Sequence, residues 1–94
     1  MHADIKLDNM LTMDGRPVLV MSDFGSAVHV RGDGEIAPYL VSRFYRAPEV
    51  ILGIPFGYYT DMWAVACCLF ELYTGTYLFP GRSNNEMLKV CACL

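Results

Sequence analysis

Positive charge and long apolar runs are both scarce in this sequence. Seven lysines and arginines stand against ten aspartates and glutamates, giving a net charge of -3, so no direct nucleic-acid partner is expected. The longest apolar stretch, around residues 63–72, contains Glu71 and is too short to span a bilayer, so no membrane partner is expected either. With 54% hydrophobic residues in 94 positions, the chain should fold around one small core.

The cysteine spacing is unlike that of a zinc or disulfide module. An adjacent pair, Cys67 and Cys68, is followed by a Cys-x-Cys pair, Cys91 and Cys93, and neither pair has the usual zinc-ligand spacing. We therefore expect buried, reduced thiols that act as small hydrophobic side chains. A metal-binding module built on these cysteines is the weaker alternative.

Turn residues indicate a hairpin followed by a long loop. Asp14 and Gly15 separate the apolar runs 10–13 and 18–21, and an Asp-Gly pair in that setting predicts a β-hairpin. Residues 1–9 and 22–46 have no sustained periodicity and are expected to be loops. Because long loops within compact domains are usually functional or disordered, the second loop is a candidate functional segment.

Three helical segments are expected after the loop. Pro48 begins a helical turn over 48–52, and Ser83 opens the last helix with a Ser-x-x-Glu capping box. Between them a helix over 60–73 has Thr60 as its N-cap and Gly75 after its end. Its surface is apolar almost all round, which predicts burial inside a larger protein. The aromatic residues of this region are expected in the core rather than in a ligand site: Phe56, Tyr58, Tyr59, Trp63 and Phe70.

Three polar groups near the N-terminus suit phosphoryl transfer. That reaction needs a carboxylate to accept a hydroxyl proton, a cation to meet the phosphoryl charge and hard oxygen ligands for magnesium. Asp4, Lys6 and Asn9 supply these groups within six positions. The interval between Asp4 and Asn9 is that of the kinase catalytic-loop motif.

Two more motifs follow in the order that a kinase requires. Asp23-Phe24-Gly25 comes directly after the second predicted strand, and Ala47-Pro48-Glu49 closes the long loop. Each tripeptide alone is a weak signal. The three motifs in sequence, with a hairpin between the first two, are specific.

On these residues the chain resembles eukaryotic protein kinases over essentially its whole length. The resemblance implies the α+β kinase fold, of which residues 1–94 would form a mainly α part of the large lobe with one β-hairpin. It implies a serine/threonine kinase that transfers the γ-phosphate of ATP to protein hydroxyls with Mg²⁺. The small lobe and the late large-lobe helices would then lie outside this partial kinase domain.

Catalytic and nucleotide-binding roles follow from the resemblance at the matching positions. Asp4 would accept the proton of the substrate hydroxyl, and Lys6 would face the transferred phosphate. Asn9 and Asp23 match the magnesium ligands. ATP would contact Lys6, Asn9, Asp23 and Leu11, the last of which forms the floor under the adenine.

Five positions match structural residues of the family: His2, Phe24, Gly25, Glu49 and Asp61. His2 supports the turn into the activation segment, with a metal ligand or general base as the weaker alternative. Asp61 braces the backbone of the catalytic loop. Glu49 would lack the arginine partner that the family supplies from a later helix, unless Arg82 or another group replaces it.

The segments 42–49 and 78–81 resemble the CMGC group of kinases, which includes the cyclin-dependent and dual-specificity tyrosine-regulated kinases. Ala3, where most kinases carry arginine, and residues 38–46 resemble the pre-mRNA-processing splicing kinases within it. The resemblance implies spliceosome proteins as substrates and a nuclear location.

The same segment suggests a regulatory site. Tyr39 matches the activation-loop tyrosine that is phosphorylated in this group, and Arg43 and Arg46 would pair with its phosphate. Ala3 removes the usual arginine clamp, so these two arginines would carry that task. Ser42 matches the residue that positions substrate beside the catalytic groups. The alternative for Tyr39 is a half-buried loop tyrosine near two surface arginines.

Two functions remain open at this point. The chain is either part of an active serine/threonine kinase, or a catalytically inactive remnant that acts as a binding module or has no function. In both cases the isolated 94 residues are expected to be inactive, to bind ATP and Mg²⁺ weakly or not at all, and to fold marginally.

Overall fold

The computed structural model describes residues 1–30 and 41–94. The secondary-structure elements, in chain order, are β1 (Met10–Met13), β2 (Arg16–Met21), α1 (Pro48–Leu52), α2 (Tyr59–Thr74) and α3 (Asn84–Ala92). Short 3₁₀ turns cover Leu7–Asn9 and Arg43–Tyr45. Within the described ranges, one antiparallel hairpin and three helices confirm the predicted mainly α architecture. Tyr39 lies outside the described residues.

The hairpin forms where the sequence predicts it. β1 pairs antiparallel with β2, with Leu11 opposite Val20, and the two strands are joined through Asp14 and Gly15. Gly15 has φ +70°, a conformation that glycine adopts without steric cost. β2 begins at Arg16 rather than at Val18, because a two-stranded sheet consists of edge strands that tolerate a proline at position 17.

Helix α2 begins one residue before the predicted helix, and its predicted cap is wrong. The backbone of Tyr58 is already helical, so Thr60 lies inside the first turn and donates its N–H to the Gly57 carbonyl at 3.0 Å. The Thr60 hydroxyl is buried and has no hydrogen-bond partner among the described residues. Gly75 closes the helix as predicted, with φ +74° and its N–H donated to the Glu71 carbonyl.

Helix α3 begins with half of the predicted capping box. Ser83 accepts a hydrogen bond from the Glu86 N–H at 3.3 Å. The Glu86 carboxylate accepts from the N–H of Arg82 at 2.8 Å rather than from that of Ser83. Gly81 lies so close to this helix that a Cβ there would be 2.6 Å from the Met87 backbone nitrogen. The glycine therefore lets the preceding loop pack directly on α3.

The core consists of two clusters that both contact Trp63. The first cluster comprises Tyr45, Ala64, Cys67, Cys68, Phe79 and Met87, and the second comprises Val41, Ala47, Val50 and Phe56. Trp63 stacks on Phe79 with ring centroids 5.3 Å apart. Because Val41, Tyr45 and Ala47 are core residues, the end of the long loop is held by packing against the helices.

The burial predicted for the whole surface of α2 is found on one side only. Ala64, Cys67 and Cys68 are buried, whereas Met62, Leu69, Leu72 and Tyr73 are exposed. The described residues do not cover this second side. No helix among them is long and apolar enough to cross a membrane.

The core prediction for the aromatic residues is right in part. Phe56 is buried and Trp63 is half-buried between the two core clusters. Tyr58, Tyr59 and Phe70 are exposed, and for them the prediction is wrong. They belong to surfaces that the described residues leave uncovered.

All four cysteines are free thiols. Burial raises the pKa of Cys67 to about 12 and that of Cys68 to about 11, and it also raises the pKa of half-buried Cys91. These three agree with the expected small, reduced core side chains. Cys93 is exposed, so the expected burial is wrong there, because the residue follows the last turn of α3.

Candidate active site

Asp4, Ser42 and Lys6 form one hydrogen-bonded group. The Ser42 hydroxyl donates to Asp4 Oδ1 at 2.6 Å and accepts from Lys6 Nζ at 3.2 Å. Lys6 Nζ also lies 3.6 Å from Asp4 Oδ2. The structure thus brings together two predicted catalytic residues and the predicted substrate-positioning serine, although 38 residues separate Ser42 from Asp4.

Asn9 is fixed against the same carboxylate. Its Nδ2 donates to the Asp4 carbonyl at 2.8 Å and to Asp4 Oδ2 at 3.1 Å. The 3₁₀ turn over Leu7–Asn9 creates this contact by turning the chain back toward Asp4. Asn9 is buried, and no hydrogen bond within the described ranges uses its side-chain oxygen.

His2 joins the catalytic loop to the end of β2. Its Nδ1 accepts from the Asp4 N–H at 3.2 Å, and its Nε2 lies 3.0 Å from the Ser22 carbonyl. Because Nδ1 is an acceptor, the ring proton is on Nε2 and is donated to Ser22. These contacts tie the two segments together, and the structural role of His2 stays a prediction.

Asp61 holds the backbone of the loop from inside α2. One carboxylate oxygen accepts from the His2 N–H at 2.7 Å, and the other accepts from the Ala3 N–H at 3.0 Å. Ala3 is buried and has φ +66°, which strains a residue with a Cβ. Two charge-assisted hydrogen bonds at this point stabilise the strained conformation.

Asp23, the first residue of the Asp-Phe-Gly motif, lies on an exposed turn after β2. Its φ is +60°, and its Oδ1 accepts from the Gly25 N–H at 3.2 Å. A Cβ at Gly25 would lie 3.2 Å from that same oxygen, so glycine leaves room for the carboxylate. Phe24 is 64% exposed and meets the His2 ring edge-on at 5.0 Å.

Two predicted residues lie away from the polar group. Leu11 is exposed on β1, and its contact with the adenine stays a prediction. Glu49 is half-buried in the first turn of α1. Within the described ranges its carboxylate makes no ion pair, with Arg82 or with another residue.

The two predicted regulatory arginines have different surroundings. Arg43 is exposed at the start of the second 3₁₀ turn. Arg46 is buried: Nε and Nη2 donate to the Val41 carbonyl at 3.0 and 2.8 Å, and Nη1 donates to Asn84 Oδ1 at 2.6 Å. Their pairing with phosphorylated Tyr39 stays a prediction.

Sequence reasoning missed the contacts of Tyr45 and Ser22. The Tyr45 hydroxyl donates to Glu71 Oε2 at 2.5 Å, and burial together with the Glu71 carboxylate raises the pKa of Tyr45. A carboxylate in the last turn of a largely apolar helix is a sequence signal for such a partner. Ser22 donates its N–H and hydroxyl to the Asn9 carbonyl at 2.8 and 3.2 Å, and only its position before Asp23 hints at this.

A cavity of 340 Å³ lies beside this group rather than within it. Its lining includes Met1, His2, Phe24 and Tyr58 but not Asp4 or Lys6. The arrangement that can do chemistry is therefore the surface group around Asp4. There the carboxylate of Asp4 accepts hydrogen bonds from the hydroxyl of Ser42 and the amide of Asn9, and the ammonium of Lys6 donates to the same hydroxyl.

The chain matches a known family over nearly its whole length. Residues 1–93 match the family described as "Protein kinase domain". The chain is 58% identical over 88 residues to "Serine/threonine-protein kinase prp4" of Schizosaccharomyces pombe, which covers 94% of this chain and 18% of that protein. It is 51% identical over 90 residues to "Serine/threonine-protein kinase prpf4B" of Dictyostelium discoideum, covering 96% of this chain and 11% of that protein.

A third relative is the "Dual specificity tyrosine-phosphorylation-regulated kinase 2" of Drosophila melanogaster, 47% identical over 94 residues. That match covers 99% of this chain and 12% of the relative. The chain therefore spans less than a fifth of the length of these three proteins. Motifs, geometry and similarity agree that the chain belongs to the protein kinase domain family, with relatives among the serine/threonine and dual-specificity tyrosine-regulated kinases of the CMGC group.

Proposed function

We propose that this chain carries the phosphotransfer centre of a protein serine/threonine kinase. The observation that carries the proposal is the hydrogen-bonded group in which Ser42 bridges Asp4 and Lys6 while Asn9 holds the other oxygen of Asp4. These are the groups that proton abstraction and phosphate-charge neutralisation require. Similarity to proteins named serine/threonine-protein kinases supports the same reaction.

Asp4 is proposed as the acceptor of the substrate proton. A serine or threonine hydroxyl gives its proton to the Asp4 carboxylate as its oxygen bonds to the γ-phosphorus of ATP. The bond between that phosphorus and the bridging oxygen breaks, and ADP leaves. Ser42 and Asn9 each take one oxygen of the carboxylate, so the carboxylate is fixed before substrate arrives.

Lys6 is proposed to meet the charge of the transferred group. Its side chain is 26% exposed, and its ammonium lies 3.2 Å from Ser42 Oγ and 3.6 Å from Asp4 Oδ2. A partly buried cation beside the proton acceptor stabilises the negative oxygens of the phosphoryl group. This contact also aligns the substrate-binding segment that contains Ser42.

Asn9 and Asp23 have donor chemistry that fits magnesium. Mg²⁺ prefers oxygen ligands and is usually bound by one or two carboxylates together with substrate phosphates. Asn9 uses its nitrogen on Asp4, so its oxygen is the atom left for a cation, and the Asp23 carboxylate is exposed. When bound, the ion neutralises charge on the nucleotide phosphates.

Nucleotide contact and regulation are proposed on the same basis. Exposed Leu11 would lie under the adenine. Phosphorylation of Tyr39 would add negative charge for Arg43, which is exposed, and for Arg46. Arg46 is buried and donates to Val41 and Asn84. Arg43 is therefore the more accessible partner for the phosphate.

The substrates are proposed to be proteins, among them components of the spliceosome, and the location is proposed to be nuclear. Support comes from the resemblance of residues 38–46 to the splicing kinases and from 58% and 51% identity to the prp4 and prpf4B proteins. Immunofluorescence of the protein with an antibody to residues 41–58 would test the location. A signal restricted to the cytoplasm would contradict it.

A graft tests the proposed reaction. Residues 1–94 replace the matched segment of the Schizosaccharomyces pombe kinase, and incorporation of labelled phosphate into a serine-containing protein is measured. We expect activity that Asp4→Asn lowers by about 10²–10⁴-fold, because it removes the general base. Asp8→Asn, the same change at an exposed position of the same loop, is the matched control and should leave activity unchanged.

Two outcomes would contradict the proposal. One is a graft that unfolds cooperatively on heating, and is therefore folded, but transfers no phosphate. The other is equal loss from Asp4→Asn and Asp8→Asn. Either result would favour the alternative in which the segment is an inactive binding module.

A further inference from the structure

Asn84 makes a long-range contact with the activation segment. It is the first residue of α3 and is half-buried. Its Oδ1 accepts a hydrogen bond of 2.6 Å from Nη1 of Arg46, which lies 38 residues earlier in the chain. Neither the kinase motifs nor the matched family description gives Asn84 a role.

Arg46 also binds the carbonyl of Val41. Its Nε and Nη2 both donate to the Val41 oxygen, at 3.0 and 2.8 Å. Arg46 is 8% exposed and Val41 is 2% exposed, so water does not compete for these bonds. Because the guanidinium is planar and its donors are fixed relative to one another, the bond to Asn84 restricts the angle at which the other two donors meet Val41.

The Val41 carbonyl belongs to the same rigid peptide unit as the nitrogen of Ser42. Fixing that oxygen therefore restricts the position of Ser42. The Ser42 hydroxyl donates to Asp4 at 2.6 Å and accepts from Lys6 at 3.2 Å. A continuous set of contacts thus leads from Asn84, through Arg46 and Val41, to the group around Asp4.

We propose that Asn84 is a positioning residue for phosphoryl transfer, acting through Arg46 and the Val41–Ser42 peptide on the catalytic carboxylate. This inference rests on the proposed kinase function. Asn84 touches neither Asp4 nor Lys6, so its loss displaces Ser42 rather than removing a reacting group.

Helix capping does not account for the side chain of Asn84. The N-cap of α3 is Ser83, whose hydroxyl accepts from the Glu86 N–H, and the Glu86 carboxylate takes the Arg82 N–H. Asn85 is the next residue, of the same type and in the same turn, but it is exposed and makes no side-chain hydrogen bond in the described part of the chain. It is therefore a matched control for effects on helix stability.

The experiment uses the full 94-residue chain grafted into the Schizosaccharomyces pombe kinase as above, with steady-state kinetics at saturating ATP. Asn84→Ala should lower kcat by about tenfold, because small displacements of aligned groups are costly. The KM for ATP should change by less than about twofold, since no ATP contact is lost. Asn84→Asp keeps an oxygen acceptor for Arg46 and should restore kcat, while Asn85→Ala should match the unsubstituted graft.

Several results would overturn the inference while leaving the kinase proposal intact. One is an active graft in which Asn84→Ala and Asn85→Ala have the same kcat. Another is Asn84→Asp as impaired as Asn84→Ala, because the acceptor would then not be the cause. A third is a loss of kcat that vanishes once rates are normalised to the folded fraction from thermal denaturation. A folded graft that is inactive without any substitution would instead contradict the kinase function, and the inference with it.

Discussion

The two sides of helix α2 differ in how far their side chains are buried or hydrogen-bonded by the rest of the chain. On the inner side, Asp61 accepts two backbone N–H groups and Glu71 accepts the Tyr45 hydroxyl. On the outer side, Leu69 is 61% exposed and Tyr73 is 93% exposed, with no covering layer among the described residues. The inner side chains have their hydrogen-bond partners within the chain, and Asp61 among them positions the candidate site. The outer side chains would be buried only by a further partner.

The hairpin is similar to the outer side of α2, because its apolar side chains are also exposed. Leu11, Val18, Leu19 and Val20 are all exposed, although apolar residues of this kind usually pack against a core. The polar site, in contrast, has its hydrogen-bond partners within residues 1–9, 22–25, 41–46 and α2. Substitutions should therefore be costly on the inner side and nearly neutral on the outer side.

The largest effect is expected at Asp61. Asp61→Ala leaves the N–H groups of His2 and Ala3 without acceptors and removes support for the positive φ of Ala3. We expect a loss of about 2–4 kcal/mol in the free energy of unfolding. Urea denaturation followed by circular dichroism measures it. Tyr73→Ala, on the outer side, should change stability by less than about 0.5 kcal/mol, and equal costs at both positions would contradict the comparison.

A smaller effect is expected where the loop before α3 meets the helix. A methyl at Gly81 would lie 2.6 Å from the Met87 backbone nitrogen, so Gly81→Ala should destabilise the fold by about 1–3 kcal/mol. Gly57→Ala is the matched control, because its added Cβ would be 3.4 Å from the nearest atom, a side-chain carbon of Tyr59. Thermal denaturation of both variants should show the larger fall for Gly81→Ala; the reverse order would show that this contact is not close-packed.

Much of the site can be predicted from the sequence because its motifs are local. Asp4, Lys6 and Asn9 lie close together in the sequence, within one loop. Gly15 marks the turn of the β-hairpin because glycine adopts a positive φ without steric cost. The contact between Arg46 and Asn84 spans 38 residues, and many side chains could have met that arginine. Only the three-dimensional packing of α3 against the 3₁₀ turn selects Asn84.

The prediction of Thr60 as a helix cap was wrong for a related physical reason. Threonine is a common cap, but the chain already turns at Gly57 and Tyr58, so the helix begins earlier. The burial of Tyr58 and Tyr59 was also mispredicted, because apolar character does not tell which surface of a segment is covered. The path of the neighbouring backbone, and not only the local capping residue or hydrophobicity, decides where a helix begins and which side chains are buried.

Alkaline pH should have an effect that is absent at neutral pH and grows as pH rises above about 9. The pKa of Cys67 is raised to about 12 and that of Cys68 to about 11. In the unfolded chain these thiols ionise near the ordinary value of 9.0. The folded chain therefore keeps protons that the unfolded chain loses, and stability falls as pH rises from about 9 toward 12.

Urea denaturation at a series of pH values measures this fall, and the double variant Cys67→Ala, Cys68→Ala should show a shallower one. A stability that rises over the same pH range would contradict the burial of these thiols on the inner side of α2. Equal slopes for the double variant and the unsubstituted chain would assign the pH dependence to other groups, among them Tyr45, whose pKa is also raised.

The most direct test of the central claim is the single-turnover rate of phosphate transfer in the grafted kinase, measured with and without Asp4→Asn. ATP affinity is measured on the same samples. The account predicts that Asp4→Asn slows transfer by about 10²–10⁴-fold while ATP affinity stays the same, because Asp4 acts on the substrate hydroxyl. Equal transfer rates for the two grafts would contradict the role of the Asp4 group.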